Sequence, residues 1–311
     1  MTFETPNLIQ ASNSNEAKPS YFQEVSFLEK ETPQILKALL KVTPENLSNF
    51  KEIWGENLKN AEGFLTAIAT LPVIHYAELK LQEIKESLGN NHRSESDKKI
   101  LRDKKIEALK ELSLSLGEIS KYLIDNNKKV SQLKIFWQLF QNYSEQLGEH
   151  QIFKEIRSGI LGQTAAYHLI KSRGLNCILS NWEEDVFEGS DFSISNNEIN
   201  PSVGKLQVKH RGSVHHLEIR NTKTYNPLLS VETQLPSSKY GYKTYFTPDT
   251  SFENLAQNCS ADEYGFYLIL PGINPDGSPA IDPIRGIPSE YLTEEFKTKS
   301  VQSLDPIFSS K

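Results

Sequence analysis

Asp191, Gln207 and Lys209 are the residues of this chain whose types and spacing suit chemistry. Asp191 follows the turn-like run Glu188-Gly189-Ser190, and Lys205-Leu206-Gln207-Val208-Lys209 comes after it in a strand-like pattern. Side chains alternate across a strand, so Leu206 and Val208 take one face while Gln207 and Lys209 share the other. An acid and an amide–lysine pair on neighbouring strands can hold a divalent cation beside a water, as phosphodiester hydrolysis requires. Taken singly, an Asp after Gly-Ser is an ordinary turn residue and a Gln-x-Lys triplet arises by chance. Weight comes from finding both behind the right helix and first strand.

The elements that must position these groups are legible from periodicity. A helix is expected over 155–173, with Ile160, Leu161, Ala165, Leu169 and Ile170 facing a sheet and Gly174 closing it. Gly159 and Gly162 each cost about 1 kcal/mol mid-helix relative to alanine. They make sense if the helix lies so close to the strands that a side chain would clash. Strands are expected at 177–179, 192–194, 206–209, 214–220 and 264–270. The Pro/Gly-rich passage 271–288 reads as a long surface loop.

Residues 1–20 read as a flexible tail and 21–147 as an all-helical module. Thr43-Pro44-Glu45 is a helix start, followed by Phe50, Ile53, Trp54 and Leu58 at helical spacing. Leu71-Pro72 marks an expected break or kink, and 89–97 is a polar interruption. Leu101, Ile106, Leu109, Leu112, Leu116, Ile119 and Leu123 form the next apolar stripe. The aromatic residues of 130–143 read as core. The expected organisation is therefore α+β or α/β: the helical module, then a mixed sheet flanked by helices over 148–311.

Composition bounds the function. The net charge is −6, from 34 basic against 40 acidic residues, so nucleic-acid affinity must come from a local patch rather than bulk charge. No apolar run approaches about 20 residues, and no secretory leader is visible, which argues against a membrane span. Only Cys177 and Cys259 are present, far apart and without metal-ligand spacing, so the expected compartment is the reducing cytoplasm. There is no phosphate-binding Gly-rich loop, no His-Glu-x-x-His and no Gly-x-Ser-x-Gly.

Over residues 155–211 the chain resembles the restriction endonuclease-like, PD-(D/E)xK, nuclease superfamily. Members place a helix with an acid before the sheet, an Asp on the second strand and (Glu/Gln)-x-Lys on the third. Asp191 matches the metal-binding aspartate, Gln207 the second ligand position in its glutamine variant, and Lys209 the catalytic lysine. Gly159-Ile-Leu-Gly-Gln163 resembles the Gly-x-x-Gly-Glu helix of several members, with Gln163 where glutamate is usual. Gln163 can orient a water but cannot act as a base, so Glu155 and Glu188 are candidates for the missing charge. No proline precedes Asp191.

The resemblance implies Mg²⁺-dependent cleavage, with Mn²⁺ as a substitute. Asp191, Gln207 and the Val208 carbonyl would hold the cation, and Lys209 would offset transition-state charge. It also implies a restriction endonuclease-like fold, double-stranded DNA as substrate and a homodimer, most specifically a type II restriction endonuclease. The rivals are a repair, junction-resolving or homing nuclease of the same fold, and a non-catalytic helical interaction protein with a degenerate nuclease-like domain. Candidate nucleic-acid contacts are Lys205, His210, Arg211, Lys223, Lys239 and Lys243, with Arg220 in the same basic set; a solvated strand face explains them equally well. Tyr240, Tyr242, Tyr245 and Phe246 suit either base stacking or a half-buried strand. His210, His215 and His216 suggest zinc, but adjacent strand residues face opposite ways, so exposed hairpin positions are the alternative. The acidic run Glu183-Glu184-Asp185 would either enrich cations or form a solvated loop.

Overall fold

The structure is a computed structural model that describes residues 21–58, 61–88, 94–196, 203–211, 216–223, 255–260 and 263–304. It is mixed α and β: a helical region comes first and a five-stranded mixed sheet follows. Two compact units divide the chain, and the division falls between Thr164 and Ala165. The described residues up to Thr164, with Asp282–Ile287, form one unit. Those from Ala165 to Ile281, with 288–304, form the other.

The helical unit contains α1 (Tyr21–Leu39), α2 (Leu47–Asn57), α3 (Glu62–Leu88), α4 (Glu95–Asp125), α5 (Val130–Leu147) and α6 (His150–Ser172) through Thr164. The Thr43-Pro44-Glu45 signal produces a 3₁₀ turn first, Pro44–Asn46, in which the Asn46 carboxamide accepts the Thr43 N–H at 2.8 Å. Helix α2 follows. Pro72 does not break the chain: α3 runs through it. The proline removes one N–H donor, but Leu71 and Pro72 lie in a buried stretch where packing outweighs that loss. Helix α3 is long and apolar enough to cross a membrane by length and composition alone, a test that a core helix also passes, and 56% of that apolar window is buried. Helix α4 starts inside the stretch expected to be polar and irregular, because Ser94 caps it by accepting the Asp97 N–H at 3.2 Å. Residues 89–93 lie outside the described residues.

Aromatic packing holds this unit together. Phe136, Trp137, Phe140 and Tyr143 of α5 are buried as expected. Phe140 meets Phe153 edge-on with centroids 5.1 Å apart, and Trp137 at 5.3 Å; such pairs add about 0.5–1.5 kcal/mol beyond area burial. The Asp282–Ile287 turn belongs here too. Trp137 Nε1 donates to the Ile284 carbonyl at 2.8 Å, and Arg157, over the Trp137 ring, donates to the Pro283 carbonyl at 2.9 Å.

The second unit holds the sheet, in the order β1-β2-β3-β5-β4. Its strands are β1 (Asn176–Leu179), β2 (Phe192–Ser195), β3 (Val203–Arg211), β4 (Glu218–Asn221) and β5 (Tyr264–Pro271). Strands β1, β2 and β3 form an antiparallel meander, β5 runs parallel to β3, and β4 closes the other edge antiparallel to β5. Phe192, Ile194, Leu206, Val208, Phe266, Leu268 and Leu270 fill one face and are buried. The passage 271–288 is not a plain surface loop. Bridges Ile273↔Pro279 and Ile281↔Pro288 fold it back, and Asn274 and Ala280 are buried. Ser289 then caps α7 (Glu290–Ser303), a helix not expected from the sequence, which packs on β4.

Candidate functional site

The turn before β2 is built to aim Asp191. Residues Glu184–Glu188 form one π-helical turn, and Asn181 Oδ1 accepts the N–H groups of Glu183 and Glu184 at its start. The acidic run is thus helical rather than a loop. Gly189 ends the turn at φ 69°, a conformation that favours glycine. Ser190 is fully buried, and its hydroxyl donates to the Phe192 carbonyl at 3.0 Å. Asp191 N–H then donates to the Leu206 carbonyl at 2.8 Å, which registers the head of β2 on β3.

With the backbone fixed, the Asp191 side chain takes over the next rung of the ladder. Its Oδ2 accepts the Val208 N–H at 2.6 Å and the Gln207 amide at 2.9 Å. Asp191 and Gln207 are 8% and 7% exposed, so both bonds are shielded from water and correspondingly strong. In an extended strand a residue's N–H and C=O leave by the same edge, so the Val208 carbonyl is directed to the edge where Asp191 lies. Lys209, two residues on, shares the face of Gln207 and is half-buried.

The same face carries residues that sequence reasoning undervalued. Gln207 is in register with Tyr267 of β5, and Tyr267 with Arg220 of β4, so the three form one row across the sheet. Arg220 grips Glu218 with two bonds, from Nε at 2.5 Å and Nη2 at 2.9 Å. Tyr267 is fully buried. Only the parallel pairing of β3 with β5 reveals this row, and no local signal encodes that pairing.

Lys205 lies one row away and is committed to the fold. Its ammonium pairs with Glu188 at 2.8 Å and Glu263 at 3.2 Å, and the side chain is 10% exposed. Burial disfavours its charge, but hydrogen bonds to Glu188 and Glu263 and their negative charges outweigh this and hold it above the usual lysine value. Glu263 is held below the usual carboxylate range chiefly by the Ser260 N–H, with Lys205 reinforcing it. Gly265, in register with Lys205, needs its bare Cα: a Cβ would meet Thr222 at 2.6 Å and Cys259 Sγ at 2.9 Å.

The remaining candidates are distributed as follows. Glu155 and Gln163 belong to the helical unit, where Glu155 accepts from the Gln151 amide at 2.8 Å and Gln163 Oε1 accepts from Ser120 Oγ at 2.8 Å. Gly159 is not forced by a close neighbour, contrary to expectation, since nothing lies within 4 Å of a Cβ built on it. Arg211 ends β3, and Lys223 Nζ sits 4.0 Å from the Tyr264 ring centroid. Alternation puts His210 on the face opposite Lys209, and His216 is exposed. His215, Lys239, Lys243 and the aromatic strip from Tyr240 to Phe246 lie outside the described residues. Cys177 and Cys259 are free thiols, and burial pushes Cys177 up to about 12.

The Asp191 carboxylate is the acid bonded directly to Gln207 and to the Val208 N–H. No group of three or more His, Cys, Asp or Glu suited to a metal occurs among the described residues. A single carboxylate with an amide and a main-chain carbonyl still fits Mg²⁺, which binds through one or two carboxylates and keeps several waters. The amide presents its oxygen by a half-turn about its last torsion, without moving the strand. The arrangement is therefore a hydrogen-bonded, one-carboxylate cradle with a lysine on the same face. No protein-family model, curated protein or solved structure matches the chain.

Proposed function

We propose that the chain is a divalent-metal-dependent endonuclease that hydrolyses DNA phosphodiester bonds, in its most specific form a type II restriction endonuclease with a restriction endonuclease-like sheet unit. The observation that carries this reading is the meeting of the Asp191 carboxylate with Gln207 at 2.9 Å and Val208 N–H at 2.6 Å. The order of helix, strand, Asp191 at the head of a second strand and Gln207-x-Lys209 on a third agrees with it.

Asp191, the Gln207 amide oxygen and the Val208 carbonyl are the groups that would hold Mg²⁺ or Mn²⁺. When bound, the cation supplies Lewis-acid polarisation of the phosphoryl group and a more acidic water. Lys209 places a fixed positive charge on the same face, where it offsets negative charge developing on the phosphate. Arg211 and Lys223 extend the basic set for the DNA backbone. Lys205 is assigned no DNA contact because Glu188 and Glu263 hold it. No step is assigned to Glu155 or Gln163. Cutting both strands calls for two such sites, hence a homodimer.

Incubating supercoiled plasmid with the protein and Mg²⁺ tests the reading: discrete linear fragments support restriction, and a smear or nicked circles the other nucleases. A second reading, a non-catalytic domain, is favoured by the absence of a group of three metal-binding side chains among the described residues and by the two donors on one oxygen of Asp191. Calorimetric titration with Mn²⁺ separates the two, because an inert site binds the ion feebly.

A further inference from the structure

The helical unit contains a cleft of about 320 Å³ that the nuclease reading does not use. Leu112 and Leu116 of α4 and Ile156 and Ile160 of α6 supply apolar walls, and Glu78 of α3 and Glu155 of α6 also line it. Gly159 opens onto the same space, with no heavy atom within 4 Å of the position a Cβ would take. A mid-helix glycine is costly relative to alanine, and here no neighbour requires it. Its effect is to leave room.

Glu78 is the unusual group in this cleft. It has no hydrogen bond or ion pair among the described residues. Burial first, then the charges of Glu149 and Glu155, raise its carboxyl above the ordinary range. Lys80, two residues after Glu78, pairs with Glu111 at 3.1 Å, and Arg157, two residues after Glu155, lies over Trp137. Glu149 meets His75 Nδ1 at 2.8 Å, and Glu155 receives the neutral Gln151 amide. Two carboxylates thus line an apolar cleft, and neither makes an ion pair among the described residues.

We propose that this cleft binds a small organic amine, its ammonium between Glu78 and Glu155 and its apolar body against Leu112, Leu116, Ile156 and Ile160. A volume of about 320 Å³ lies at the lower end of small-molecule pockets. The walls reward an aliphatic or aromatic body, and the carboxylates select positive charge over a neutral or anionic analogue. The proposal is independent of nuclease activity.

Calorimetry on the full chain with 2-phenylethylamine, 2-phenylethanol and 3-phenylpropanoate tests it. The amine is expected to bind at least tenfold more tightly than the alcohol, and the carboxylate not to bind. Glu78→Gln should weaken amine binding tenfold or more, and Gly159→Leu should abolish it in a protein that still unfolds cooperatively. Equal binding of amine and alcohol, no amine binding at millimolar concentration, or amine binding unchanged in both variants would overturn the proposal.

Discussion

Gln207 donates its side-chain amide to the carboxylate of Asp191 at 2.9 Å, and the next residue's N–H reaches the same oxygen at 2.6 Å. The aspartate therefore has a structural duty as well as any chemical one: it replaces a backbone acceptor at the head of β2. Removing it is not a clean test of chemistry.

Asp191→Ala leaves the buried Val208 N–H without its acceptor, a loss of about 1–3 kcal/mol in unfolding free energy. Asp191→Asn keeps an oxygen for that N–H while deleting the charge, and should cost less than half as much. Urea unfolding of the two variants decides; equal stability of Asp191→Ala and the parent protein would contradict the bond's role.

The Lys205 pairings give stability a defined pH dependence. Glu263 is held low in the folded chain, so its contribution is present above the unfolded carboxylate value of about 4.3 and lost as pH falls through the folded one. Lys205 is held high, so its contribution is present below about 10.4 and lost as pH rises through its folded value. Lys205→Ala should cost about 2–3 kcal/mol at pH 7, below the roughly 3–5 kcal/mol of a fully buried pair because the two acids are about a third exposed. It should also flatten the acid limb. Thermal unfolding from pH 3 to pH 8 reads both effects, and an unchanged acid limb would refute them.

Two glycines should respond oppositely to alanine. Gly265→Ala drives a Cβ into Thr222 and Cys259 and should destabilise the sheet by about 1–3 kcal/mol. Gly159→Ala meets nothing and restores helix propensity, a gain of about 0.5–1 kcal/mol. Denaturation midpoints moving in the same direction would contradict the packing described.

Glu78 is raised by burial and by Glu149 and Glu155, so its stability contribution is present below about pH 4.3 and lost as pH rises through its folded value. Glu78→Gln should therefore raise the Tm at pH 7 by roughly 1–3 °C and leave it unchanged at pH 4. A lower Tm at pH 7 would mean that the carboxylate is paired in solution.

Local pattern carried much of this architecture. The five expected strands are all present, because each pairs β-branched or aromatic residues with flanking turn signals, and Gly174 and Gly189 both take the left-handed conformation at the ends of helical turns. Strand β4 begins only at Glu218, and 212–215 lie outside the described residues. Alternation placed Gln207 on the face where it meets Asp191. Non-local facts were not legible. Pro72 reads as a breaker until burial is known, and Gly159 reads as a contact point when it lines an open cleft. Lys205 looks like a DNA ligand until Glu263, 58 residues away, is seen beside it. Helix α7 was missed because its charged, weakly periodic sequence hides Leu292 and Phe296, which are buried.

The most direct test is the rate of plasmid cleavage in Mg²⁺ by the parent protein, Asp191→Asn and Lys209→Ala, each first shown to be folded. The account predicts cleavage by the parent and a fall of about 10²–10³-fold or more in each variant, the scale for losing a charge-stabilising group. Cleavage at the parent rate by either folded variant, or none by the parent in Mg²⁺ or Mn²⁺, would contradict it.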